Sequence, residues 1–405
     1  MSEQKLPNYT GDSIHKIPET VANKLGIQTD RKSLVDKTNL DEYENVVLIL
    51  VDGLGYKHWN KYAIQHDFFN NIERSGDLKK LTSVYPSETA AAITTLQTGL
   101  TPSKHGLTGW NMYFKEFDAS IKTLPFVTQE GSNPTEEYGE SFKADILFKG
   151  KSIYEDLKEQ NIQSKVIIPR QMEGSEASEL MFEGAEQIPY LSLADMSVKL
   201  RKTLEEANSK NYIYVYIPLL DKISHYEGTE VEEYQAQLSQ ISHALQENFL
   251  NKLETTKNTK LILTADHGFK DIEPEENIDI LEYDEIKENL QEKRDGEKLM
   301  PTGSPRNLHL HIKEEKIEEV KNFLEHEFNC HIWTREEAIA DNLFGLKYRD
   351  NFEDRIGDLI VSHKELAMWH GEEPEEIEII GYHGGLSKDE MEVPFLEVEL
   401  SELVD

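Results

Sequence analysis

The stretch "NVVLILVDG", Asn45 to Gly53, sets six consecutive apolar residues between an asparagine and an Asp-Gly pair. So short an apolar run, closed by a turn signal, reads as a strand buried on both faces of a parallel sheet. Three later segments resemble it: "SKVIIP" at 164–169, "NYIYVYIPLLD" at 211–221 and "KLILTADHG" at 260–268. Helical patterns such as "SIYEDLKEQ" and "EEYQAQLSQISHALQENFLNKLE" lie between them. Strands alternating with helices predict an α/β fold built on a doubly wound, mostly parallel sheet.

Outward from that run, residues 1–44 are polar and turn-rich. One short amphipathic segment, "PETVANKLGI", is expected to pack this extension on the main body. Residues 45–271 carry the first part of the core. Over 272–372 the pattern changes: "NLHLHI" alternates like a half-exposed strand, "KIEEVKNFLEHEF" is an amphipathic helix and "DLIVSHK" another strand. A smaller inserted α+β cap is expected there, after which "IEIIGYHGG" should return the chain to the main sheet within 373–405.

Acidic residues number 77 against 43 basic ones, for a formal charge of −34. Such a chain repels nucleic-acid polymers and anionic membranes, which excludes the commonest polymer-binding roles. The acids are spread over helical stretches, as on a solvated surface, and form no acidic tail. A single cysteine, Cys330, rules out an intramolecular disulfide framework and fits a reducing compartment. No apolar signal region opens the chain, and no window approaches the roughly 18 apolar residues of a membrane span. A cytoplasmic location is expected; the oligomeric state is not legible.

Chemistry in open α/β sheets collects at the carboxyl ends of strands. Three of the proposed strands end in acids: Asp52, Asp221 and Asp266. A lone Asp at such a place is ordinarily a helix cap, but three carboxylates brought to one sheet edge call for a cation. Asp221 and His225, four apart, share a helical face. Asp266 and His267 are adjacent at a strand end, and His383 sits in the glycine-flanked "GYHGGLS". Three Asp and three His make two sites of mixed nitrogen and oxygen ligation, suited to two divalent metals, zinc first, with manganese or magnesium as alternatives. Two such metals form the usual clamp for phosphoryl transfer.

That clamp needs a nucleophile, and "YPSETAAAITTLQTG" (Tyr85–Gly99) places Thr89 at the start of a helix. There a threonine oxygen lies beside free backbone N–H groups and a positive dipole end. A helix-capping role is compatible with this chemistry, since one dipole serves both.

In order along the chain, "LILVDGLGY", "YPSETAAAITTLQTGLTPSKHGLTGWNMY", "PLLDKISHYEG", "LTADHGFKD" and "GYHGGLSKDEMEVPFL" resemble the alkaline phosphatase superfamily, most of all its type I phosphodiesterase/nucleotide pyrophosphatase family. The resemblance implies that Asp52, Thr89, Asp266 and His267 hold one metal and that Asp221, His225 and His383 hold the other. It implies attack by the threonine on a phosphodiester or phosphoanhydride, a phospho-threonine intermediate, and hydrolysis by metal-activated water. The substrate would be a small phosphodiester or nucleotide. Where the family continues Phe-Pro-Asn after the threonine, this chain has Ala90, Ala91 and Ala92, implying a smaller pocket wall. Where it carries a phosphate-binding asparagine, the ungapped match is Trp110. A one-residue adjustment would bring Asn111 into that role, leaving Trp110 to stack on a flat leaving group or to pack beneath the loop.

Other candidates are weaker: His105 as a turn-former, Lys104 as a surface lysine or phosphate attractor, and His309 with His311 on one side of a cap strand, at the substrate entrance. The competing functions are a phosphomonoesterase or phosphomutase of the same superfamily, and a non-catalytic metal-binding protein on the same fold. Mutases of the superfamily use serine, and Cys330 lacks a sulfatase setting.

Overall fold

A computed structural model describes residues 3–27, 33–34, 42–139, 141–369 and 378–404. Its strands, in chain order, are β1 (Asn45–Val51), β2 (Asp77–Thr82), β3 (Asn111–Phe114), β4 (Ala119–Lys122), β5 (Val127–Thr128), β6 (Gln163–Pro169), β7 (Glu186–Tyr190), β8 (Asn211–Ile217), β9 (Thr259–Thr264), β10 (Lys270–Asp271), β11 (Ile278–Asp279), β12 (Thr302–Ser304), β13 (Asn307–Leu310), β14 (Cys330–Thr334), β15 (Leu359–His363), β16 (Met368–Trp369), β17 (Gly381–Tyr382) and β18 (Glu392–Glu399).

The main sheet has the order β2-β18-β9-β1-β8-β6-β7. Strands β9, β1, β8, β6 and β7 run parallel, and β18 joins β9 and β2 antiparallel. The fold is therefore the expected α/β type with a mostly parallel sheet. All seven residues of β1 are buried, which is why its sequence does not alternate. Registration places Asn45 beside both Asn211 and Thr259, so the central strands end level and Asp52, Asp221 and Asp266 emerge on one edge. Helix Ile17–Lys24 of the N-terminal segment is buried along its length. Among the described residues no helix is long and apolar enough to cross a membrane.

A second sheet, ordered β14-β15-β13-β12-β3-β4-β5, covers the region expected as a cap but draws β3, β4 and β5 from residues 111–128, ahead of that segment. Asn111 pairs with Gly303 of β12. Two glycines permit it: a Cβ on Gly109 would lie 2.9 Å from the Gly303 Cα, and one on Gly303 (φ +92°) would meet the Asn307 carbonyl oxygen at 1.9 Å. A pairing across so long a separation leaves no local trace in the sequence. The expected boundary between residues 372 and 373 lies outside the described residues. "IEIIGYHGG" does not rejoin the main sheet: Gly381–Tyr382 pairs with β10, and the strand that returns is β18. Glycines interrupt that run too early for a full strand, leaving a two-residue ribbon.

One ion pair ties the two sheets together. Arg306, in the β12–β13 turn and wholly buried, donates from Nε (3.0 Å) and Nη2 (2.7 Å) to the two oxygens of Glu390, and from Nη1 to the carbonyls of His363 (2.8 Å) and Leu366. Glu390 also accepts the Gly385 amide at 2.9 Å, and its own carbonyl accepts the Gly268 amide at 2.8 Å. Burial alone would raise the Glu390 carboxyl, but the Arg306 charge and bonds outweigh it and hold it below its usual value. Removing one partner of such a pair strands the other. Arg306→Ala is predicted to lower the free energy of unfolding in urea by ~3–5 kcal/mol; a loss below ~1 kcal/mol would contradict this.

Buried histidines outside the strand-end clusters, His58, His105, His309 and His311 among them, make stability depend on pH. Burial pushes His58 down to about 4 and His105, His309 and His311 down to about 3. Their folded values lie below the unfolded value near 6.5, so the stability they contribute is present above that pH and lost as pH falls through 6.5 toward 3–4. At pH 5 each costs about 2 kcal/mol. Metal-saturated protein is predicted to lose roughly ten degrees of Tm between pH 7 and pH 5, with proton uptake on unfolding; a flat profile would contradict it.

Candidate functional site

Each strand-end residue is delivered by its own element. β1 ends into Asp52 and Gly53, and β9 is followed by Asp266 and His267. After β8 the chain enters helix Leu219–Glu227, whose first turn carries Asp221 and whose last carries His225. Thr89 opens helix Thr89–Thr98, closed by Gly99 at φ 69°. The cap of that helix is Glu88, so Thr89 is not the capping residue. Its Oγ1 instead lies 3.1 Å from His267 Nε2.

Two clusters form, each with candidate ligand atoms within 4.8 Å of one another: Asp52, Asp266 and His267, and Asp221, His225 and His383. In the first, His267 Nε2 stands 3.4 Å from Asp52 Oδ1 and 3.3 Å from Asp266 Oδ2. Tyr216 donates its hydroxyl to Asp52 Oδ2, and the Gly53 amide donates to Asp266 Oδ1 at 3.2 Å. In the second, His225 Nε2 is 3.5 Å and His383 Nε2 3.7 Å from Asp221 Oδ1, and the two nitrogens are 3.2 Å apart. The clusters touch: the His267 and His383 rings stack with centroids 3.8 Å apart and planes 16° from parallel. Phe269 sets its edge or face against all three imidazoles, at 5.1 Å from His225, 5.6 Å from His267 and 5.2 Å from His383. Gly53 makes room for it, since a Cβ there would lie 2.5 Å from the Phe269 ring.

Backbone carbonyls orient the rings. His225 Nδ1 lies 2.8 Å from the Gly381 oxygen and His267 Nδ1 3.1 Å from that of Gly268, so Nδ1 carries the proton and Nε2 presents a lone pair to the cluster. Burial pushes His225 down to about 4 and lowers His267 and His383, keeping the imidazoles neutral at pH 7. Burial, then the charges of Asp266 and Asp221, hold the Asp52 carboxyl well above its usual range; burial and Asp266 do the same for Asp221. Asp52 Oδ1, Asp221 Oδ1 and Asp266 Oδ2 are shielded from solvent and accept no hydrogen bond among the described residues. Three unsatisfied carboxylate oxygens facing neutral imidazoles form a donor set that a divalent cation would satisfy.

Beside the clusters opens a cavity of about 480 Å³ that reaches Asp52, Thr89 and Asp221. Trp110, 40% exposed, lines it together with Ile93, Met172, Met181 and Phe182, and no lysine or arginine is among the described residues lining it. Asn111 does not join it. Its side-chain oxygen accepts from Gln129 at 3.2 Å, at the start of β3, whereas Trp110, in the bend just before that strand, lines the cavity. Asn111, expected to reach the reacting phosphate, is thus not among the described residues that line this cavity. Ala90, Ala91 and Ala92 are buried in the core and do not line the cavity, so they form no smaller wall.

His105 is buried behind the helix, its Nε2 3.1 Å from Thr95 Oγ1, and Lys104 donates to the Tyr348 carbonyl at 3.1 Å. His309 and His311 are buried in the second sheet, accepting from the Gly357 amide at 3.3 Å and meeting Thr302 Oγ1 at 3.2 Å respectively, and are not among the described residues that line the cavity. Sequence reasoning missed Phe269, Tyr216 and Glu88. The alternating tyrosines of β8 and the position of Phe269 two residues after His267 were the available signals. Glu88, beside Thr89, is raised by burial to about 7 and so brings less negative charge to the helix start than an ordinary glutamate.

Comparison with known proteins follows the same lines. The family model described as type I phosphodiesterase / nucleotide pyrophosphatase matches residues 46–386. No curated protein sequence matches the chain. Among solved structures, murine ectonucleotide pyrophosphatase / phosphodiesterase 5 is similar, with a TM-score of 0.63 at 17% identity over 87% of each chain. Its inactive threonine-to-alanine form in complex with AMP superposes equally well, at 0.63 and 17% over 87% of each chain. Phosphonoacetate hydrolase from Sinorhizobium meliloti, in complex with phosphonoacetate, gives 0.62 at 16% identity over 87% of this chain and 89% of the other. At these identities the structures establish a shared fold, whereas the family match spans most of the sequence. The chain belongs to the type I phosphodiesterase/nucleotide pyrophosphatase family.

Proposed function

We propose that the protein is a two-metal hydrolase of phosphodiester or nucleotide pyrophosphate bonds, acting through a phospho-threonine at Thr89. One observation carries the reading: Thr89 Oγ1 lies 3.1 Å from His267, at the rim of two Asp/His clusters in ring-to-ring contact. Asp52, Asp266, His267 and Thr89 would hold one metal, and Asp221, His225 and His383 the other. Zinc suits this donor set first, with manganese or magnesium as alternatives. When bound, such metals polarise phosphoryl oxygens and lower the pKa of water.

The chain's own residues do the rest. The Thr89 oxygen and His267 Nε2, 3.1 Å apart, would be neighbouring donors to the first metal, and the start of the ten-residue helix Thr89–Thr98 offers backbone N–H groups to phosphoryl oxygens. Tyr216, hydrogen-bonded to one oxygen of Asp52, leaves the other for a cation. Because the cavity beyond Thr89 is mostly apolar and no basic side chain is among the described residues lining it, it suits a flat or apolar group of the substrate. Trp110 is placed to stack on it. The AMP complex of a structural neighbour supports a nucleotide as one such substrate.

The test compares bis-aryl, aryl-nucleotide and aryl-monoester phosphates with wild type and Thr89→Ala, with metal content measured on both. The expected result is a preference for diesters, and a mutant that keeps its metal yet loses at least about a hundredfold in kcat/KM. Preference for the monoester would point to a phosphomonoesterase. Retained metal with no turnover by wild type on any ester would indicate a non-catalytic protein, and full activity in the mutant would remove Thr89 from the mechanism.

A further inference from the structure

A second cavity, of about 410 Å³, opens between the turn after β3, the segment 146–149 and the loop 349–355, and shares no lining residue with the catalytic pocket. Its charged lining consists of Lys115, Lys149, Arg349 and Arg355 with Glu116 and Asp354. Four cations against two carboxylates is a reversal of sign in a chain of net charge −34.

The two carboxylates leave part of this charge uncompensated. Arg355 Nη2 bonds Glu116 at 2.7 Å, and Lys115 meets Asp354 at 3.3 Å. Arg355 is only 8% exposed, its guanidinium carbon lies 4.4 Å from the Phe114 ring centre, and its Nη1 has no acceptor among the described residues. Arg349 Nη1 reaches only a carbonyl, that of His105 at 3.3 Å. No carboxylate within ion-pair distance of Arg349 or Lys149 is found among the described residues. Gly106, at φ +92°, gives the Arg349 side chain its seat, because a Cβ there would lie 2.3 Å from Nη1. Burial, followed by the like charge of Arg355, lowers the pKa of Arg349 in spite of the opposing charges of Glu116 and Asp350, neither of which bonds it.

Gathering like charges without matching acceptors is unfavourable, and an anion held among them relieves it. We propose that this cavity is a binding site for a small phosphate-bearing anion, distinct from the reaction centre. Arg349 supplies the planar fork that matches a phosphate, Lys149 a mobile point charge, and the volume falls in the range of small-ligand pockets.

Labelled inorganic phosphate in equilibrium dialysis against the metal-loaded full chain tests this. Wild type should bind at two sites, one abolished by a chelator and one not. In Lys149→Gln/Arg349→Gln the chelator-insensitive site should weaken by at least about tenfold, while hydrolysis of an aryl diester is unchanged, showing that the variant folds. Lys149→Gln alone alters only an exposed side chain and should weaken the same site several-fold; it decides the matter if the double variant does not fold. Binding in wild type that is wholly chelator-sensitive, or chelator-insensitive binding undiminished in Lys149→Gln, would overturn the proposal.

Discussion

Three aspartates meet at the carboxyl ends of β9, β1 and β8, where water scarcely reaches, and their mutual repulsion is the constraint around which the molecule is organised. The parallel register of the three strands forces the meeting, since β1 lies between β8 and β9 with its residues level with both. Burial and neighbouring charge raise Asp52 and Asp221 and leave carboxylate oxygens without donors. Such an arrangement is unfavourable unless a cation completes it. The surroundings otherwise keep the site neutral: imidazoles held uncharged by burial, a phenylalanine among them, and no basic side chain among the described residues that line the adjoining cavity.

Holding that cluster in shape requires anchoring from outside the parallel sheet. Glu390 does this from three directions. Its carbonyl takes the Gly268 amide next to His267, its carboxylate takes the Gly385 amide two residues after His383, and Arg306 ties the same carboxylate to the second sheet. The close backbone approach at Gly268, where a Cβ would meet the Asp389 carbonyl oxygen at 2.0 Å, belongs to the same contact. Site geometry and cohesion of the two sheets thus depend on one buried ion pair.

How much of this was legible in the sequence depended on the range of the interaction. Local patterns declared themselves: the unbroken apolar run of β1, the acid that ends it, and the hydroxyl at the start of the helix Thr89–Thr98 all follow from neighbouring residues. Contacts between distant segments did not. The pairing of Asn111 with Gly303, the return through β18 instead of residues 377–385, and the bonds of Arg306 to Glu390 rest on tertiary packing without periodicity. Asn111 and Trp110 show the limit most sharply, since the bend at Trp110 and the start of β3 at Asn111 are set by the pairing with a distant segment, and only the fold decides which of the two lines the cavity. Likewise the threonine could be placed at a helix start from sequence, while its partner, His267 rather than the helix backbone, required the structure.

Whether the two Asp/His clusters form one two-metal centre is decided by anomalous diffraction at the zinc edge from crystals of the zinc-loaded protein. Two peaks about 3.5–4 Å apart are expected, one among Asp52, Asp266, His267 and Thr89 and the other among Asp221, His225 and His383. A single peak, or zinc bound only away from these residues, would contradict a two-metal centre.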